Sequence, residues 1–329
     1  MTGFGPEFES LPDYILKVTK TIWEDREVDA LERFYAEDIV MRSTSELQRG
    51  RGTVVADTLS MLGAFPDKEI LGEDVIWCED DEGSYLSSHR AMTLCTHAGH
   101  TAFGPPTGRT FRFRAVADCA VKDEVIYDEW LARDNSAIAI QLGREPEAEA
   151  RAQIALDGGP ERAVRPLRAE DDVVHRYTGR GNDDEWGERL ADTLNRVMAA
   201  NVAAIRHRYD RAAAICHPGC RDGFSWRFAE TEWTRLRSAL PSAEFRIDHA
   251  IGRSDPGEPH RAAVRWSLTG SHDGHGAFGA PTHAPVHVMG FTHAEFGPYA
   301  TEGWGIRREY TVFDEIAVWK QIALHTGRL

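Results

Sequence analysis

Apolar residues recur at helical spacing over residues 13–36, where Tyr14, Ile15, Val18, Ile22, Leu31, Phe34 and Tyr35 share one side. The polar run Glu24-Asp25-Arg26-Glu27 interrupts them, so two amphipathic helices joined by a turn are predicted. After Asp38-Ile39-Val40, a short strand and a loop carrying Gly50 and Gly52 lead into a helix near 53–64, which Pro66 ends. The pattern then changes to strands over 70–78, 84–96, 109–121 and 125–133. Turns are expected at Asp80-Asp81-Glu82-Gly83 and at Lys122-Asp123, and Ile138, Ile140 and Leu142 suggest a last helix. The same order returns later: helical over 186–217, a helix near 230–240, strands near 245–252, 262–271, 286–296 and 305–313, then the apolar run Ile316, Val318 and Ile322. Helices followed by a meander of long antiparallel strands make an α+β pattern, satisfied by one curled sheet over its helices.

The recurrence is a duplication. Residues 96–107 and 271–282 coincide at eight of twelve positions, including His97/His272, His100/His275, Phe103/Phe278 and Gly104/Gly279. Glu129-Trp130-x-x-x-Asp134 recurs as Glu309-Tyr310-x-x-x-Asp314, and Arg90 falls on Arg265. A motif would fade within a few residues, so the repeat unit is a whole domain. The expected organisation is a first domain over 10–145, a connector over 146–185 and a second domain over 186–329. The connector holds Gly158-Gly159-Pro160 and Gly179-Arg180-Gly181, and it reads as a partly ordered surface segment with too many breakers and charges for a core.

Charge narrows the partners. Of the net −15, residues 1–150 carry −14, with 15 basic against 29 acidic residues. Such a surface repels phosphate backbones, so nucleic acid is not expected as a partner. No apolar run approaches membrane-span length and no leader pattern opens the chain, so no membrane partner and a cytoplasmic location are expected. Five cysteines, none repeated between the halves, fit reduced thiols better than a disulfide framework. Cys216-His217-x-x-Cys220 lacks the further ligand a zinc site needs, and no nucleotide motif occurs, so neither metal nor cofactor is expected.

Side chains two apart on a strand share a face, so Trp130, Ala132 and Asp134 project together, as do Tyr310, Val312 and Asp314. An acid beside apolar neighbours on the inner face of a curled sheet suits proton transfer. Each Asp equally suits the N-cap of the helix that follows. His97, His100, His272 and His275 could move a proton, donate to a carbonyl oxygen, bind metal, or only brace their loops. Arg90 and Arg265, at mid-strand, need acidic partners if buried; Glu129 and Glu309, on the face opposite the aspartates, are candidates.

The segment Thr96-His97-x-Gly99, continuing to Pro106-Thr107-Gly108-Arg109, with Glu129-Trp130-Leu131-Ala132-Arg133-Asp134-Asn135 and Gln141-Leu142-Gly143, resembles the SnoaL-like polyketide cyclase (ester cyclase) family of the nuclear transport factor 2-like superfamily. The second repeat departs from it with Pro281-Thr282-His283-Ala284, with Tyr310 for the Trp, and without the Gln-Leu-Gly ending. The resemblance implies two tandem cones, each a curved antiparallel sheet wrapped around helices that enclose an apolar pocket. It implies ring closure or related isomerase or lyase chemistry on a small apolar carbonyl compound, without cofactor. Asp134, and by repeat Asp314, would be acid and base, with His97, His100, His272 and His275 as polar helpers. Trp130, Arg90, Phe103, Tyr310, Arg265 and Phe278 would bind substrate. A non-catalytic binding protein with the same pockets is the alternative reading. The two domains would pair through their sheets within the chain, with further self-association open.

Overall fold

The computed structural model describes residues 3–80 and 83–328, so the expected turn at Asp80–Gly83 lies partly outside the described residues. In the first domain α1 (Leu11–Trp23) begins at Ser10, whose hydroxyl accepts from the Asp13 amide, and buries Leu11, Tyr14, Ile15, Val18 and Ile22. The second expected helix shrinks to a 3₁₀ turn and α2 (Leu31–Phe34), because Tyr35 already opens β1 (Tyr35–Ser43). Then come β2 (Leu47–Arg49), α3 (Arg51–Ala64), β3 (Glu69–Glu79), β4 (Tyr85–Thr96), β5 (Thr110–Lys122), β6 (Val125–Arg133) and α4 (Asn135–Gln141). The strands lie in the order β2-β1-β6-β5-β4-β3. The meander is antiparallel as the pattern required, but β1 joins it parallel to β6, with Met41 opposite Glu129. The β5–β6 turn is Asp123-Glu124, both at positive φ, as a two-residue hairpin requires.

After α5 (Pro146–Leu156), the second domain repeats the plan with α6 (Glu185–Met198), α7 (Ala204–Arg208), β7 (Tyr209–His217), β8 (Arg221–Phe224), α8 (Trp226–Ala239), β9 (Glu244–Arg253), β10 (Arg261–Ser271), β11 (Pro285–Ala300), β12 (Gly303–Phe313) and α9 (Glu315–Thr326). Its order is β8-β7-β12-β11-β10-β9. Residues 209–217, expected to continue a helix, form β7 instead. The alanines of Arg211-Ala212-Ala213-Ala214 favour helix locally, but pairing with β12 and β8 and the burial of Tyr209, Ala213 and Ile215 prevail.

The outer faces of the two sheets pack on each other. Ile76, Val116, Trp130 and Ala132 meet Ile251, Phe291 and Val312 in one apolar cluster. Polar contacts lock the register: Asp118 with His249 at 3.1 Å, Ser88 with His293 at 2.9 Å, and Asp74 with Arg261 at 2.6 Å. Each sheet is therefore covered on both sides, by its own helices and by the other sheet.

The connector is not a loose surface strap. Ile154, Leu167 and Tyr177 are buried, and Asp172 reaches into the seam. There Asp172 accepts hydrogen bonds from Trp130 Nε1 (3.2 Å) and Arg265 Nη1 (3.1 Å). Its glycines punctuate a path held by a few apolar anchors and one counter-ion, which composition averages conceal.

Candidate active site

The helices and the inner face of the first sheet enclose a cavity in two joined chambers of about 320 Å³ and about 80 Å³, the larger of a size that holds a small ligand. Tyr35, Lys68, Phe113, Glu129, Leu131 and Arg133 line both. The strand register grades the polar groups by depth. Glu129 lies opposite Cys119 at mid-sheet, whereas Arg133 lies opposite Ala115, toward the β4–β5 loop that carries the exposed His100 at the cavity rim. Lys68, just before β3, sits at that same end.

Glu129 is 5% exposed, and its Oε2 has no hydrogen-bond partner among the described residues. Burial pushes its carboxyl up to about 7, against the pull of a hydrogen bond from Tyr35 and the charge of Arg133. Such a carboxyl changes protonation near neutral pH inside an apolar cup, which is the condition for general acid and base work.

The second cup holds the same acid differently. Glu309, 0% exposed, accepts from the Tyr209 hydroxyl (2.5 Å), Trp233 Nε1 (3.0 Å) and the Thr311 hydroxyl (2.8 Å), and pairs with His217 Nε2 (2.8 Å). Tyr209 corresponds to Tyr35, but His217, Trp233 and Thr311 stand where the first domain has Ser43, Thr58 and Leu131. The space is also filled. Trp233, Trp266 and Phe313 pack at ring-centroid distances near 6 Å, in place of Thr58, Ala91 and Arg133. Gly290 makes room, since a Cβ there would run into the Trp266 ring; the first domain has Ala115 at that position.

The aspartates do not face either cup, which corrects the inward-facing reading of Asp134 and Asp314. Asp134 caps α4, accepting from the Ala137 amide (2.9 Å) and the Ser136 hydroxyl (2.7 Å), and reaches across the seam to the Gly219 amide (2.9 Å). Asp314 caps α9 and accepts from Asn135 Nδ2 of the first domain at 2.6 Å. Burial pushes both carboxyls up to about 6. Asp134→Ala is expected to cost about 1–3 kcal/mol, through the lost cap and a stranded Gly219 amide. Thermal melting should fall while turnover per folded molecule holds; loss of turnover at full stability would return Asp134 to the chemistry.

The other expected site residues divide. Phe103 lines the larger chamber and His100 its rim. His97 is buried and braced by the Thr107 and Thr101 hydroxyls at 3.2 and 3.0 Å, so it holds the loop. His272 keeps the Thr282 partner, but among the described residues its Nε2 is unpaired, because Gly276 replaces Thr101. His275 is exposed, and Phe278 packs on Trp319 in the second core. Trp130, Arg90, Arg265 and Tyr310 belong to the seam: Arg90 pairs with Glu73 (2.9 Å) and stacks 3.6 Å from the Tyr310 ring centroid, while Arg265 pairs with Asp172. Neither arginine uses Glu129 or Glu309. Among the described residues no three His, Cys, Asp or Glu side chains converge as a metal site needs. His217 of the Cys-His-x-x-Cys run points to Glu309, whereas Cys220 is exposed. No helix in the described residues is long and apolar enough to cross a membrane.

Sequence reasoning missed Glu129, Tyr35, Lys68 and Arg133 as a group. The signal was the recurrence of Glu129 as Glu309 and of Tyr35 as Tyr209, read instead as an ion-pair partner and a helix position.

Residues 14–142 match the family model described as SnoaL-like polyketide cyclase. Similar solved structures include wild-type IdmH from Streptomyces antibioticus, at 22% identity, covering 41% of this chain and 99% of that one, with a TM-score of 0.36. A SnoaL-like polyketide cyclase from Agrobacterium tumefaciens is 20% identical over 41% of this chain and all of that one (100%), with a TM-score of 0.34. TsrD from Streptomyces laurentii is 15% identical over 41% of this chain and 98% of that one, with a TM-score of 0.35. No curated protein matches the chain. Over residues 14–142 the first domain is similar to the SnoaL-like polyketide cyclase family, and the second domain repeats its α+β plan and strand order in tandem.

Proposed function

We propose that the first cup is a cofactor-independent active site for proton transfer at a carbon beside a carbonyl, and that the second cup is its filled structural partner. One contrast carries the reading. The same glutamate recurs in both cups, satisfied on four sides as Glu309 but left as Glu129 with Tyr35 and a free oxygen beside a cavity. Ionised Glu129 takes the proton from carbon; the C–H electron pair becomes the C=C bond of an enolate, and the carbonyl π pair moves to oxygen. The Tyr35 hydroxyl, kept protonated by burial and by the Glu129 charge, is the neighbouring donor. The enolate then attacks a second carbonyl, closing a ring as that carbonyl's π pair moves to oxygen and Glu129 returns its proton to the alkoxide, or it takes the proton back on carbon. The description of the matching family model, polyketide cyclase, is in keeping with a ring-closing outcome.

The test imports the second cup's filling into the first. The double substitution Ala91→Trp with Ala115→Gly copies Trp266 and Gly290. Solvent-deuterium incorporation beside the carbonyl of a bound aryl methyl ketone, followed by NMR, should be present in the parent chain and vanish in this variant without loss of melting temperature. Exchange that survives the filling, or a parent that binds the ketone and never exchanges it, would overturn the proposal.

A further inference from the structure

Three buried arginines of the seam each have a carboxylate at hand: Arg42 with Asp128 at 2.7 Å, Arg90 with Glu73 at 2.9 Å, and Arg265 with Asp172 at 3.1 Å. Arg133 departs from this pattern. It lines both chambers, and among the described residues neither it nor Lys68 makes an ion pair; the Lys68 ammonium contacts the Met61 sulfur at 3.0 Å. Glu129, Asp57, Glu46 and Asp314 act on Arg133 only through space, beyond ion-pair distance. Two unpaired cations in a half-buried apolar cup repel each other and are costly to desolvate. Burial, together with the Arg133 charge, pushes the Lys68 ammonium down to about 7. The fold does not demand them, for Phe313 and Ala243 occupy the same places in the second cup. They are kept in a domain whose overall charge is strongly negative, so they are not part of a basic surface.

We propose that the first cup accepts a carbonyl compound bearing a carboxylate, with the carboxylate held by Arg133 and Lys68 at the rim and the enolisable carbon directed inward to Glu129. This rests on the first cup being the ligand site, not on Glu129 being the base. The spacing suits it. Glu129 and Arg133 are four residues apart on one face of β6, about 13 Å by strand rise, and both line the two chambers. A planar aromatic or short aliphatic acid with its carbonyl at the far end spans that gap. A guanidinium matches a carboxylate with two parallel hydrogen bonds, and the ammonium adds a point charge.

The experiment is calorimetric titration of the full chain with 4-acetylbenzoate and, separately, with its methyl ester, which differ in the anionic group. The carboxylate should bind about tenfold tighter or more, as one charge-assisted contact provides. Arg133→Met and Lys68→Met should each weaken the carboxylate by about tenfold and leave the ester unchanged, the ester reporting that the cup is intact. Glu129→Gln should keep the preference. Equal affinities, a tighter ester, no carboxylate binding at millimolar concentration, or variants that weaken both compounds alike would each overturn the proposal. Preference without deuterium exchange would sink only the proton-transfer reading, and exchange without preference only this one.

Discussion

Replacing Glu129 with Gln lowers the rate of hydrogen exchange beside the bound carbonyl by about 10²–10⁴-fold, the usual contribution of a positioned acid and base. The substitution keeps the volume and still offers Tyr35 an acceptor, so the cup should remain open and bind. A second reading separates chemistry from folding. Glu129 has a folded pKa of about 7, above the ordinary carboxylate range of the unfolded chain. The folded state therefore holds a proton that the unfolded state releases, and stability falls as pH rises from about 4.5 toward about 7. Gln carries no such proton. Glu129→Gln should match the parent's melting temperature in mild acid and exceed it above neutrality, while losing exchange at every pH. Undiminished exchange would remove Glu129 from the mechanism, and a variant less stable at all pH values would make it a structural acid like Glu309.

Asp172→Ala is expected to destabilise the chain by about 3–5 kcal/mol, the cost of breaking a buried ion pair from one side. Burial alone would raise the Asp172 carboxyl, but Arg265, aided by His287 and Arg42, holds it well below the usual range. Without it Arg265 keeps Asp248, at 3.7 Å, as its carboxylate and His249 Nδ1, at 3.5 Å, as a neutral acceptor, and the Trp130 indole N–H loses its acceptor. With a folded pKa below the unfolded one, this contribution is present at neutral pH and fades as pH falls below about 4, so parent and variant should converge in acid. Thermal melting at neutral and acid pH checks both statements. An unchanged melting temperature at neutral pH would mean that the connector only passes over the seam.

Much of the fold was legible because the duplication gave each element twice: α1, α3, α8 and the eight meander strands stand where periodicity puts them. The candidate site was harder, for a physical reason. Apolar alternation tells the inside of a sheet from the outside only when one face meets water. Seven consecutive residues of β6, from Ile126 to Ala132, are buried, because helices cover one face and the second sheet the other. Asp134 then had the more apolar neighbours and Glu129 the charged ones, and neighbour polarity pointed to the face that does not line the cavity. Propensity misled at β7 in the same way, since its alanines carry no sign of the parallel pairing to β12. The connector was misjudged because one buried aspartate and three apolar anchors weigh little in an average over forty residues. The recurrence of Tyr35 with Glu129 as Tyr209 with Glu309 did point to this candidate pair, since a tyrosine and a glutamate distant in sequence both return at matched places.

The seam between two unequal halves bears on how such a chain changes over time. In an assembly of two identical subunits every substitution arrives on both sides at once, so neither pocket can close without closing its twin. Joining the copies on one polypeptide lifts that constraint. Trp266 and Gly290 could arise in one half alone, turning one hollow into ballast that steadies its neighbour, while the other half kept its cavity and the acid within it.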